Sequence, residues 1–365
     1  MAISQSGPHA GPPASVRRAT IDDVARAAGV SRQTVSNVVR GRGRLASTTR
    51  DRVVAAIEDL GYKPHAGAAS LRSGRTYRIA YPIPDNEFLP DNVIMLEFLQ
   101  FMVAAARARE HQVLVTSSGS GLAAIDELVW TRSVDGFVLA SVTEDDPRIA
   151  FLAARQIPFA CFGRVAPPLP QSWVNIDNRA AVGSVTRYVL AHGHTRLSYL
   201  GYAPQGPWDD ERETGYRDAV TAAGLPATLI RTGLAAATVN ATVTDLLTGP
   251  DRPTAVVTGS DVLAAACYSA ASRAGLRIGA DLAVTGFDGS VISRMLTPAL
   301  TTVAIPLRDL ASHLIDRALA EVTGTASGHG EFLDTILIEG ESVQQVQKNL
   351  GPPGSDAGGL HRTLT

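Results

Sequence analysis

The sequence predicts a small all-α head joined to a larger α/β body of two Rossmann-like lobes. Three observations carry the prediction. Apolar residues recur at helical spacing through the first sixty residues, short apolar runs alternate with longer amphipathic stretches thereafter, and the two parts differ in the sign of their charge. Residues 1–75 hold 12 Arg and Lys against 5 Asp and Glu, and the remainder holds 21 against 30. A compact basic module on an acidic body suits a head that binds phosphate.

The bulk composition sets the frame. A chain of 365 residues exceeds one compact core, so two or three units are expected. The apolar fraction of 45% and charged fraction of 19% describe an ordinary globular protein. No run reaches the ~18 apolar residues a membrane helix needs, so no membrane partner is expected. Residues 1–19, rich in Pro, Gly, Ser and Ala, read as a disordered leader without the apolar segment of a secretion signal. Residues 348–365, with Gly-Pro-Pro-Gly and Gly-Gly, read as a disordered tail. Cys161 and Cys267 lie in apolar stretches and read as buried free thiols of a reducing compartment. A cytoplasmic, nucleoid-associated protein is expected.

The head occupies 20–62. Thr20 caps a first helix and Asp23 reaches back to it as in a capping box. Ile21, Val24, Ala25 and Ala28 form one apolar stripe. Gly29 supplies a left-handed stop and Ser31 caps a second helix, Arg32 to about Val39. That helix is expected to turn Val35, Val38 and Val39 inward and Arg32, Gln33, Ser36, Asn37 and Arg40 outward. A third helix, Ser47 to Leu60, is expected to bury Val53, Val54, Ile57 and Leu60. Two short helices across a tight glycine turn, with a third completing the core, form the helix-turn-helix pattern. Arg, Gln and Asn on the outward face are the residue types that read guanine and adenine edges in a major groove.

Residues 63–76 read as a hinge. Gly61 to Pro64 stops the third helix, and the segment His65 to Arg72 is too short to be a stable helix alone. A plain flexible linker is the alternative.

The body occupies 77–347. Apolar runs at 78–81, 112–116, 136–140, 158–162, 173–176, 197–200, 255–257 and 282–285 read as strands separated by helices, which implies parallel doubly wound sheets. The runs are too many for one modest sheet, and the Pro- and Gly-rich stretch 163–171 divides them. Two lobes with a cleft between them follow. In such sheets ligands bind beyond the carboxyl ends of the strands.

The run from Thr20 to Val39, TIDDVARAAGVSRQTVSNVV, resembles the headpiece of the lactose-repressor (LacI/GalR) family. The similarity continues through 47–64 and 69–76 and along most of the chain to about residue 345. The resemblance implies a periplasmic-binding-protein-like body whose chain crosses between lobes near Asn175, Ala304 and Asp334. The first lobe then takes about 77–175 and 305–334, and the second about 176–304 and 335–347. It places base reading on Arg32, Gln33 and Asn37, and phosphate contacts on Thr20, Ser31, Thr34 and Ser36. It also implies that the hinge folds on DNA beside its symmetry mate, with Leu71 wedged into the minor groove. His65 stands where relatives often have Asn, and Gly67 lowers helix propensity by ~1 kcal/mol relative to Ala, so this hinge is expected to order less readily.

For the cleft, Arg212 in the Arg-x-x-Gly-Tyr run 212–216 matches the family's effector-gripping arginine, whose guanidinium donates two parallel bonds to a diol or carboxylate. Asp261 matches the acid of the family's Asn-Asp pair, and Asp288 ends the strand at Gly286-Phe-Asp-Gly289. Either accepts bonds from sugar hydroxyls or caps the next helix. Trp208 and Phe287 offer flat apolar surface to a pyranose, Phe287 serving equally well as core. The departures are Ser260, where Asn is usual, and Gly163, where some members carry a ligand-binding Asp. Arg164 follows, and an extra arginine at the cleft raises the case for an anionic ligand.

No Gly-x-Ser-x-Gly, His-Glu-x-x-His, Gly-Lys-Ser/Thr or Cys-x-x-Cys motif occurs, so neither enzyme chemistry nor a metal or cofactor is expected. Three function classes compete. A homodimeric regulator of double-stranded operator DNA, controlled by a small-molecule effector such as a sugar or sugar derivative, fits every feature. A regulator with a purine-type corepressor is its nearest variant. A solute receptor on the same body is opposed by the head, and an enzyme on a doubly wound scaffold by the missing catalytic constellation.

Overall fold

The computed structural model describes residues 19–39, 45–62, 74–84, 93–117, 122–164, 172–204, 206–326, 328 and 330–346. The chain separates into two compact units, 1–76 and 77–365. Arg40, the hinge residues His65, Gly67 and Leu71, and almost all of the leader and tail lie outside the described residues.

The head holds three helices: α1 (Ile21–Ala28), α2 (Arg32–Val39) and α3 (Ser47–Asp59). Thr20 and Asp23 form the capping box. The Asp23 N–H donates to Thr20 Oγ1 at 3.3 Å, and the Thr20 N–H to Asp23 Oδ2 at 2.9 Å. Gly29 ends α1 at φ 63°, a conformation that strains any residue with a Cβ. Ser31 Oγ caps α2 by accepting from the Thr34 N–H at 3.1 Å. Val24, Ala25, Ala28, Val35, Val53 and Ala56 form the core.

Four expectations fail here. Val54 and Leu60 are 41% and 40% exposed and Val39 is 40% exposed, whereas Ser36 is buried. On α3 the buried pair is Val53 and Ala56, three residues apart on one stripe, and position 54 turns ~100° away from it. Ser36 lies beside Val35 on α2 and is small enough to be covered rather than to stand outward.

The body contains two sheets. The first, in order β11-β5-β4-β3-β1-β2, is parallel throughout. Its strands are β1 (Arg78–Ile83), β2 (Gln112–Ser117), β3 (Gly136–Leu139), β4 (Phe159–Phe162), β5 (Ser172–Ile176) and β11 (Glu331–Leu333). The second runs β12-β10-β9-β8-β6-β7 and is parallel except at β12. It comprises β6 (Leu197–Tyr202), β7 (Leu229–Thr232), β8 (Ala255–Thr258), β9 (Ala283–Asp288), β10 (Thr301–Ala304) and β12 (Ile336–Ile338). The two lobes are doubly wound, as the βα alternation implies.

Helices cover both faces of each sheet: α4 (Val93–Ala108), α5 (Ala123–Trp130), α6 (Pro147–Ala154), α7 (Asn178–Ala191), α8 (Pro207–Ala222), α9 (Ala236–Thr248), α10 (Asp261–Arg273), the short α11 (Val291–Met295) and α12 (Leu307–Thr323). Strand β1 shows why its run reads as continuously apolar. Ile79, Tyr81 and Ile83 pack with Phe98 and Met102 of α4, while Ala80 turns to the other face with Ile125 and Ile149. The chain passes from the first sheet to the second between β5 and α7, returns between β10 and α12, and passes again between β11 and β12. These passages bring the strand ends of both sheets to one cleft.

Candidate DNA-reading face and ligand cleft

On the head, the outward side of α2 carries Arg32, Gln33 and Asn37. Arg32 is 68% exposed and its Nε lies 2.9 Å from Asp22 Oδ1 of α1. Gln33 Nε2 donates to Asn37 Oδ1 at 3.0 Å. Ser31 and Thr34 share a hydroxyl contact of 2.9 Å at the helix start, and the exposed Thr20 sits at the start of α1. The structure therefore gathers Arg32, Gln33, Thr34 and Asn37 on one helix and removes Ser36, buried in the free head, from that surface.

In the body, a cavity of about 550 Å³ opens between the lobes. Of the six sequence-derived candidates, Arg164, Trp208, Arg212 and Asp288 line it, and Asp261 and Phe287 do not. Arg212 leaves α8 and is held on three sides. Its Nε donates to Asn178 Oδ1 at 3.0 Å, its Nη1 to the Gly259 carbonyl at 2.9 Å, and its Cζ lies 4.0 Å from the centre of the Phe287 ring. Phe287 is fully buried beneath that guanidinium. It supports the Arg212 guanidinium from behind and does not line the cavity.

Asp261 is likewise fully buried, and its oxygens are occupied. Oδ2 accepts from the Ser290 N–H at 2.7 Å and the Ser290 hydroxyl at 2.9 Å, and Oδ1 from Thr302 Oγ1 at 2.6 Å. A Cβ built on Gly286 would stand 2.2 Å from Asp261 Oδ1, so the missing side chain at 286 is what admits the carboxylate. Asp261 thus ties the starts of α10 and α11 to β10. Burial raises its pKa, and the Thr302 and Ser290 bonds oppose the rise.

Asp288 ends β9 at φ 106°, in the left-handed region, and is 9% exposed at the cavity wall. Burial pushes its pKa up to about 8, with Arg212 pulling it down and Asp261 adding to the rise. At neutral pH it is mostly a protonated donor and acceptor facing a fixed cation.

Among the polar residues of the wall that sequence reasoning overlooked are Asn178 and Glu211. Asn178 follows β5 at the first crossing, a switch-point position that marks it in principle. Glu211 is concealed among the acids that open α8. The first lobe contributes mainly apolar wall, with Tyr81, Met95, Phe98 and Phe162. Its buried Arg148 is matched by Asp146 at 2.6 Å. Arg164 meets Glu211 at 3.7 Å, so the charge that argued for an anionic ligand is already answered by the protein.

The head and the body find counterparts in known proteins. A model of the bacterial regulatory proteins of the lacI family matches residues 20–65, and one of a periplasmic binding protein-like domain matches 186–343. The HTH-type transcriptional regulator DegA of Bacillus subtilis (strain 168) is 30% identical over 304 residues, covering 81% of this chain and 89% of DegA. The chain belongs to the LacI family. CelR of Thermobifida fusca, an HTH-type transcriptional regulator, is 31% identical over 326 residues, covering 84% of this chain and 94% of CelR. As a LacI-family member the protein is a DNA-binding transcriptional regulator.

Solved structures agree on the fold. A Lac repressor dimer bound to operator and the anti-inducer ONPF superposes with TM-score 0.80 at 24% identity, over 90% of this chain and 100% of that one. A CelR–cellobiose complex superposes with TM-score 0.67 at 27% identity, over 89% and 100%. Among the described residues no helix is long and apolar enough to cross a membrane.

Proposed function

We propose that this LacI-family regulator is a cytoplasmic homodimeric repressor of a pseudo-palindromic operator, controlled by a neutral sugar or sugar derivative in the inter-lobe cleft. The observation that carries this is Arg212: a guanidinium fixed on Phe287, Asn178 and Gly259, facing the cavity beside the protonated Asp288. Fixed donors and a group that both donates and accepts suit the mixed hydrogen bonding of a polyol. Trp208, at the cavity wall, offers the flat surface a pyranose face packs on. The CelR complex with cellobiose and the Lac repressor dimer on its operator support the same reading.

In the head, α2 enters the major groove, with Arg32, Gln33 and Asn37 at base edges and Thr20, Ser31 and Thr34 at phosphates. Arg40 joins the DNA contacts and Leu71 wedges the minor groove. Ligand acts by population shift: it favours one lobe arrangement, and residues 63–76 pass the change to the head. Two assays test this. Isothermal titration against glucose, galactose, cellobiose, maltose and melibiose should give one binder, and Arg212→Ala should abolish both that binding and the response of operator affinity to the sugar. A variant that still responds removes Arg212 from the site.

A further inference from the structure

A chain of polar side chains runs from the first lobe to Arg212. Arg164, beyond β4, is 53% exposed, and its Nη2 lies 3.7 Å from Glu211 Oε1 on α8 of the second lobe. Glu211 Oε2 accepts from Asn178 Nδ2 at 3.1 Å. Asn178 Oδ1 accepts from Arg212 Nε at 3.0 Å. We propose that Arg164, Glu211 and Asn178 form a cross-cleft relay that positions Arg212, so that approach of the lobes and presentation of the guanidinium are one event. The proposal rests on the cleft being the ligand site.

The polarity of the chain is the reason it works. The Asn178 amide has one acceptable orientation, because reversing it would set its NH₂ against the Arg212 N–H and its oxygen against a carboxylate. Glu211 enforces that orientation only while its own plane is fixed, and Arg164 and Asn178 each hold one of its two oxygens. At the Asn178 end the element is rigid: Asn178 is buried and begins α7. At the Arg164 end the link is an ion pair longer than a hydrogen bond and joins different lobes, so it is the first link that lobe movement changes. Arg164 is therefore a positioning residue, and its guanidinium need not touch the ligand.

The test uses the full chain carrying Arg164→Glu, Glu211→Arg, or both, titrated with the same five sugars. Spin labels at Ala150→Cys and Thr221→Cys, exposed positions on helices of opposite lobes, report the inter-lobe distance, since both native thiols are buried. Each single reversal should weaken binding of the responding sugar about fivefold, the change expected for a part-exposed pair of about 1 kcal/mol, and broaden the distance distribution. The charge swap should restore the distance distribution but not binding, because the double variant Arg164→Glu/Glu211→Arg re-forms the inter-lobe pair and leaves Asn178 Nδ2 without its carboxylate acceptor. Recovery of binding in the swap, failure of the swap to restore the distance distribution, or single reversals that change neither quantity, overturns the relay. If no sugar binds the unaltered chain, the sugar reading fails, and the distance distributions alone then decide the relay by the same criterion.

Discussion

Arg32 is already engaged by Asp22 in the free head, and Gln33 by Asn37. DNA binding must exchange these exposed contacts for base edges, so the net gain per residue is the difference between two sets of hydrogen bonds. Arg32→Ala should weaken operator binding by about 1–3 kcal/mol and relax preference at its base step, measured by competition against single-base operator variants. Equal losses on operator and random DNA would reassign it to the backbone. In the cleft, Asp288 gives a pH signature. Its pKa is raised from the ordinary carboxylate value near ~4 to about 8, so the folded state holds the proton that the unfolded state loses. Its contribution is fully present below about pH 4 and is lost as pH rises toward 8. Asp288→Asn should therefore flatten the fall in melting temperature across that window. An unchanged profile would mean that Asp288 is ionised in the fold. The chemistry of these residues was legible from type and position, but their exposure was not. Asp261 and Phe287 end up behind the wall because Gly286 admits one and Arg212 covers the other, and strand periodicity carries no information on either.

The capping box, glycine stop and Ser31 cap are local devices, which is why the boundaries of α1 and α2 could be read from the chain. Gly29→Ala should destabilise the head by about 1 kcal/mol through backbone strain alone, since a Cβ there meets nothing within 4 Å. Hydrogen exchange of the α1–α3 amides measures it, and unchanged protection would contradict the assigned conformation. Ser36→Lys should reduce the same protection more strongly, because it buries a charge in place of a covered hydroxyl. The eight strands read from apolar runs all appear. Strands β7, β10, β11 and β12 were not read, for physical reasons. Strands β11 and β12 have three residues each, β10 opens with two threonines, and β7 is only partly buried, so none shows a sustained apolar period.

For the whole molecule, the Asp261 bracket joins α10, α11 and β10, while Arg164–Glu211 joins the two lobes. A ligand that binds only the folded body stabilises it by linkage, about 2.7 kcal/mol at a hundred times its Kd. The responding sugar should thus raise the melting temperature of the body, and Arg212→Ala should remove the shift. Capture of genomic fragments by the full chain at physiological salt, with and without that sugar, tests most directly whether operator reading is joined to ligand sensing. The expected result is one recurring pseudo-palindrome whose retention changes when the sugar is present. Retention of only salt-sensitive, sequence-independent DNA, or of an operator indifferent to the sugar, would contradict it.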